Sequence, residues 1–149
     1  MARAGTMKAP MRALAAFGAA ALMTAACSFG RPLVVFDGET CRYQGPDTFR
    51  PGPTEVTFRN ESGAYVALAF LALPEDEADR ADALALIGQD LVITDPDSAD
   101  LAGVVLAEPG EEVTQEAPLP VGSYLLDCAM FDGDRPAHAW RAAAIDVEE

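Results

Sequence analysis

Cys128 and His138 stand ten residues apart near the end of the chain, and His138 is the only histidine among its 149 residues. A thiolate and an imidazole are half of the donor set from which proteins build copper sites. The same cysteine could instead be half of a disulfide, in which case its sulfur is no ligand. Other groups with possible chemistry are carboxylates: Asp95, Asp97 and Asp100 in one run, Asp132 and Asp134 in another. Calcium takes oxygen ligands at such spacing, but both runs lack the glycine and the distal bidentate glutamate of an EF-hand loop. They read as turn residues in contact with water. The chain has no Gly-x-Ser-x-Gly turn, no zinc-ligand spacing and no phosphate-binding loop. A single histidine also leaves no supported Ser–His or Cys–His arrangement. The sequence therefore assigns no catalytic residue and no cofactor, and predicts a protein that is not an enzyme.

What positions Cys128 depends on where the folded part begins. Arg3, Lys8 and Arg12 make a basic start, and residues 13–26 follow without a charge up to Leu22-Met23-Thr24-Ala25-Ala26-Cys27. A basic region, a short apolar core and a small-residue end predict a secretory signal peptide over residues 1–26. The apolar core is too short for a span, which needs roughly 20 residues. The end of the leader resembles the lipobox of bacterial lipoproteins, with Ala25, Ala26 and Cys27 in place and Thr24 where leucine is usual. That resemblance implies a diacylglyceryl group on the Cys27 thiol and cleavage before it. Two acyl chains suffice for stable attachment where one is marginal. The expected partner is thus membrane lipid, and the expected location the extracytoplasmic side of the bacterial cell membrane.

Without the leader, seven arginines and no lysine face 24 acids, a formal charge of −17. Nucleic acid is excluded as a partner, because its binding rests on Lys and Arg neutralising phosphates. The acidity itself serves solubility at a crowded surface. With Cys27 used by the lipobox, Cys41 and Cys128 remain, an even pair in the compartment where disulfides persist. A Cys41–Cys128 bridge is the expectation.

Residues 27–32 read as a tether and 33–149 as one domain. Leu33 to Asp37 is a first strand, Thr40 to Tyr43 a short second, and Thr54 to Arg59 alternates as a half-buried strand. Ala64 to Leu73 is apolar throughout. Gly63 before it and Pro74 after it favour a strand over a helix. Pro74 to Gln89 is the one helical segment, with Glu75, Asp76, Glu77 and Asp79 at its dipole-favoured start. Its apolar face is expected to hold Ala78, Ala81, Leu84, Ala85 and Gly88. Strands follow over Ala102 to Ala107, Glu111 to Ala117, Gly122 to Met130 and Ala139 to Val147, with Pro118-Leu119-Pro120 as a break. The strand over Gly122 to Met130 hands Cys128 to a loop that leads to His138. Seven or eight short strands with Gly/Pro turns predict an all-β antiparallel sandwich, with one helix inserted.

Taken together the segments resemble the cupredoxin-like sandwich, a Greek-key fold. The matching pieces are Val56 to Asn60, the apolar strand after it, the helical excursion and Pro109-Gly110. Pro120 to Cys128, His138 and Ile145 to Val147 complete the match. The resemblance implies a copper site with Cys128 as thiolate and His138 as one imidazole. The second imidazole would fall shortly after Asn60, where the chain has Gly63, Ala64 and Tyr65, and no methionine follows His138. The ligand set is incomplete, so the expectation is a metal-free, membrane-anchored binding or accessory module. A copper or electron-transfer protein using Cys128 and His138 is the alternative.

Overall fold

A computed structural model describes residues 31–95, 97 and 100–149. The leader, the lipobox and Cys27 lie outside the described residues, and so does most of the tether. Among the described residues the order is β1 (Leu33–Phe36), β2 (Cys41–Gln44), β3 (Thr48–Phe49), β4 (Gly52–Asn60), β5 (Val66–Ala72) and α1 (Glu77–Ala85). Then come β6 (Asp90–Val92), β7 (Leu101–Ala107), β8 (Glu112–Leu119), β9 (Gly122–Asp132) and β10 (Arg135–Val147). No helix among them is long and apolar enough to cross a membrane.

The strands form the expected sandwich of two sheets. One has the order β2-β1-β4-β8; the other runs β3-β10-β9-β5-β7, with β6 also paired to β10. Most pairings are antiparallel, as expected, and two are parallel: β1 with β4 and β3 with β10. The cause is a crossover. Between β1 and β4 the chain visits the other sheet as β3, so it returns to β1 running the same way.

Period-two alternation builds the core. Val56 and Phe58 point inward from β4 while Arg59 is exposed, and Phe36, Phe70, Leu68, Leu126 and Cys128 meet them from both sheets. Each fully buried Phe of this set contributes about 2–3 kcal/mol of transfer free energy. The inward face of β4 ends on Asn60, which has no exposed surface. The two N–H groups of its Nδ2 are shared among the carbonyls of Ala64, Ala107 and Glu108, and its Oδ1 accepts from the Ser62 N–H and hydroxyl. A buried amide is tolerated only when satisfied in this way. Asn60 thereby closes the turn into β5 and holds the β7–β8 corner.

Strand β5 is buried along both faces over its first five residues, as its unbroken apolar sequence requires. Pro118 and Leu119 do not break β8. They pair with Pro53 and Gly52 at the sheet edge, where a missing N–H costs no ladder bond. After β5 the chain makes an excursion that, over Pro74 to Asp95, lies against the outer face of the larger sheet. Its helix is capped by Asp76, whose carboxylate accepts from the N–H groups of Ala78 and Asp79. The expected apolar helix face is not used: α1 has no buried residue. The excursion is held instead by backbone bonds, Gly88 N–H to Arg141 O at 2.7 Å and Ile93 N–H to Ala137 O at 2.9 Å. Pairing of β6 with His138–Trp140 completes the attachment.

Candidate functional site

Cys128 and His138 do not form a site. Cys128 has no exposed surface and is bonded to Cys41, so the expected bridge joins β2 of one sheet to β9 of the other. No loop runs from Cys128 to His138. β9 continues four residues past the cysteine, turns at Gly133 and Asp134, and returns as β10 with Arg135 opposite Asp132. Gly133, at φ +63°, supplies the left-handed backbone that a two-residue hairpin turn needs. His138 is therefore a strand residue, opposite Met130 and Val92. Its Nδ1 lies 3.4 Å from Asp90 Oδ1, and its ring centroid 6.1 Å from that of Trp140.

This donor set does not fit a type 1 copper centre. Such a centre takes a free thiolate and two imidazoles; here the sulfur is in a covalent bond and the chain has one histidine. The region expected to supply the second imidazole is the turn closed by Asn60. Among the described residues no three of His, Cys, Asp and Glu come together as a metal-binding group.

The other face of the same strand carries the more informative geometry. Alternation sends Tyr124, Leu126 and Cys128 into the inter-sheet core and Leu125, Asp127 and Ala129 to the outer face. Asp127 stands directly opposite Arg141 in the β9–β10 ladder. Arg141 Nε and Nη2 donate to the two carboxylate oxygens of Asp127, each at 2.8 Å. Nη1 donates to the carbonyl of Ala83 in α1 at 3.0 Å. The side chains are only 10% and 5% exposed, so this is a buried ion pair with its lone pairs and protons largely engaged. Burying two charges costs several kcal/mol per ion before pairing offsets it. Its place is under the excursion, where it also pins the helix to the sheet.

Around this pair lies a cleft of about 360 Å³ between the outer face of the sheet and the residues Leu91 to Asp95. Four small side chains, Ala67, Ala69, Ala129 and Ala139, set its floor back, and Asp127 and Arg141 complete the floor. Phe131 and Pro136 close one end; Leu101 and Val104 of β7 form the far wall. Its rim is apolar and open to solvent, with Val92 69% and Leu101 54% exposed. Tyr65 extends the patch beyond Phe131, ring centroids 5.6 Å apart. Contiguous exposed apolar surface beside a concave site marks an interaction surface more often than a neutral one.

Reading the sequence for sulfur and imidazole missed this face. The available signal was a lone acid in Leu125-Leu126-Asp127-Cys128-Ala129 and a lone base in Trp140-Arg141-Ala142-Ala143. A single charge inside an apolar strand demands a partner, and each of these is the other's.

No family model and no curated protein matches the chain. Among solved structures it is similar to the sodium-dithionite-reduced auracyanin of the photosynthetic bacterium Roseiflexus castenholzii. The identity is 21%, with 78% of this chain and 95% of that one covered at a TM-score of 0.45. A likeness at this level carries no conclusion about ligand or activity.

Proposed function

We propose that the chain is a membrane-anchored, extracytoplasmic binding module without catalysis, and that the cleft over Asp127 and Arg141 is its binding site. The observation that carries the reading is the cleft itself. An apolar concavity of about 360 Å³ is set on a rigid sheet, with a few convergent polar groups in its floor. Sites for small molecules have this make-up and fall between about 300 and 1,000 Å³. The disulfide and the two-sided burial of β5 and β9 keep the floor from moving. The strongly acidic body suits a protein that must stay dispersed at a surface while exposing an apolar rim.

Filling the cleft tests the site. The neutral dye N-phenyl-1-naphthylamine, which brightens in apolar surroundings, is expected to bind the protein saturably. Ala69→Trp, placed in the floor, is expected to weaken that binding by roughly tenfold or more, about 1.4 kcal/mol. The melting curve should be nearly unchanged, because the indole enters space that is already open. Undiminished dye binding by a folded Ala69→Trp protein would place the dye elsewhere and remove the cleft from consideration.

Anchoring is tested separately. Cys27→Ser is expected to move the protein from the membrane pellet to the soluble fraction and to abolish incorporation of labelled fatty acid. A pelleted Cys27→Ser protein would mean that the acyl chains are not the anchor.

A further inference from the structure

The chemistry of the cleft floor restricts what it can hold. A guanidinium has five N–H donors. Three of those of Arg141 are engaged, two by Asp127 and one by the Ala83 carbonyl, which leaves one N–H on each terminal nitrogen. The charge of Arg141 is already matched by Asp127, at 2.8 Å through both oxygens. The floor is thus a hydrogen-bond donor without net charge. The one other charged side chain of the lining, Asp95, is negative and exposed.

We infer that the cleft selects uncharged, mostly apolar molecules bearing a hydrogen-bond acceptor such as a carbonyl oxygen, and that the acceptor sits on the guanidinium of Arg141. This rests on the cleft being the binding site. An anion entering the cleft would give up its hydration and compete with Asp127 for the guanidinium, against a body of formal charge −17. A cation would bring its charge toward the guanidinium in the same low-dielectric floor. A neutral acceptor meets neither cost and gains a bond to a charged donor, which is stronger than one between neutral groups. A pure hydrocarbon would fit the apolar walls but leave the donors without a partner once water is displaced. The four floor alanines provide a shallow bed on which a flat ring system can lie with its carbonyl over Arg141.

Three tricyclic probes of nearly equal shape separate the neutral acceptor, the hydrocarbon and the anion: 9-fluorenone carries a carbonyl, fluorene carries none, and fluorene-9-carboxylate is an anion. Their affinities for the full chain, carrying Cys27→Ser so that no acyl group competes, can be measured by equilibrium dialysis. Fluorenone is expected to bind about tenfold tighter than fluorene, in line with one hydrogen bond to a charged donor, and the carboxylate weakest. In the double variant Asp127→Leu with Arg141→Leu, the preference for fluorenone over fluorene should fall to about one. The infrared carbonyl band of fluorenone bound to the unsubstituted floor should move to lower wavenumber, a readout that does not depend on the double variant folding. If none of the probes binds, the cleft reading itself fails. If fluorene and fluorenone bind equally, if the carboxylate binds tightest, or if the carbonyl band is unshifted, the cleft reading stands and the assignment to Arg141 is overturned.

Discussion

Replacing Cys41 and Cys128 together by alanine is expected to lower the unfolding free energy by about 4 kcal/mol. The bridge closes a loop whose ends are separated by 87 residues. Chain entropy alone assigns a loop of that length about 4.5 kcal/mol, with strain and residual unfolded-state structure tending to reduce it. Against a usual margin of about 5–15 kcal/mol for a domain, this is the largest single covalent contribution available. The position of the bridge raises its importance. Cys41 begins the short edge strand β2 of one sheet and Cys128 sits mid-strand in the other. The bridge therefore locks one sheet against the other at an edge strand that pairs with β1 alone. Urea unfolding of the oxidised protein and of the double alanine variant checks this through the shift in midpoint at constant slope. A difference below about 1 kcal/mol would mean that the unfolded chain is already as compact as the bridge would make it.

The second large effect is expected at the floor of the cleft. Asp127→Ala removes the counter-charge of Arg141 and leaves a guanidinium that is about one-tenth exposed. Breaking a buried pair from one side costs about 3–5 kcal/mol, because the remaining charge is neither solvated nor paired. Arg141 also donates to Ala83, and its backbone bonds Gly88 and Gln89. Its rearrangement should therefore loosen the excursion as well. Amide exchange in β6 should accelerate more than in β5, whose ladder partners are β7 and β9. The double variant Asp127→Leu with Arg141→Leu should regain most of the loss, since well-packed apolar replacements of such a pair are often neutral or stabilising. An Asp127→Ala protein within 1 kcal/mol of the parent would show that water reaches the guanidinium freely.

Both effects are centred on β9, and they differ in how far the sequence foretold them. Counting thiols was enough for Cys41 and Cys128: with Cys27 expected to be taken by the lipobox, two of the three cysteines remained, and they allow one pairing. The ion pair was not seen. Asp127 and Arg141 are fourteen residues apart, and only the register of the β9–β10 hairpin sets them opposite each other. That hairpin was itself hidden. Asp132-Gly133-Asp134-Arg135-Pro136 has the composition of a loop, and only cross-strand pairing on both sides narrows it to a two-residue turn. With the turn goes the idea of a cysteine delivered to a loop, and His138 becomes a strand residue beside Asp90.

Short or edge elements were also beyond local reading. β3 and β6 span two and three residues, too few for any period to show. The helix, expected within Pro74 to Gln89 from Pro74 and the acidic first turn, spans Glu77–Ala85. Its expected apolar face holds no buried residue, and the excursion is attached through backbone bonds to Arg141 and the β6 pairing instead.

By itself the sequence determined the β-sandwich with its one helix, the two-sided burial of β5, the inward face of β4 and the bridge. Each of these follows from local alternation, from turn residues or from a count of groups with one possible partner. The crossover that makes two pairings parallel, the meeting of Asp127 with Arg141 and the cleft between Leu91–Asp95 and the sheet were decided by the tertiary structure alone. They join residues that no local period relates, and the outer face of a strand acquires its meaning from whatever other part of the chain lies across it.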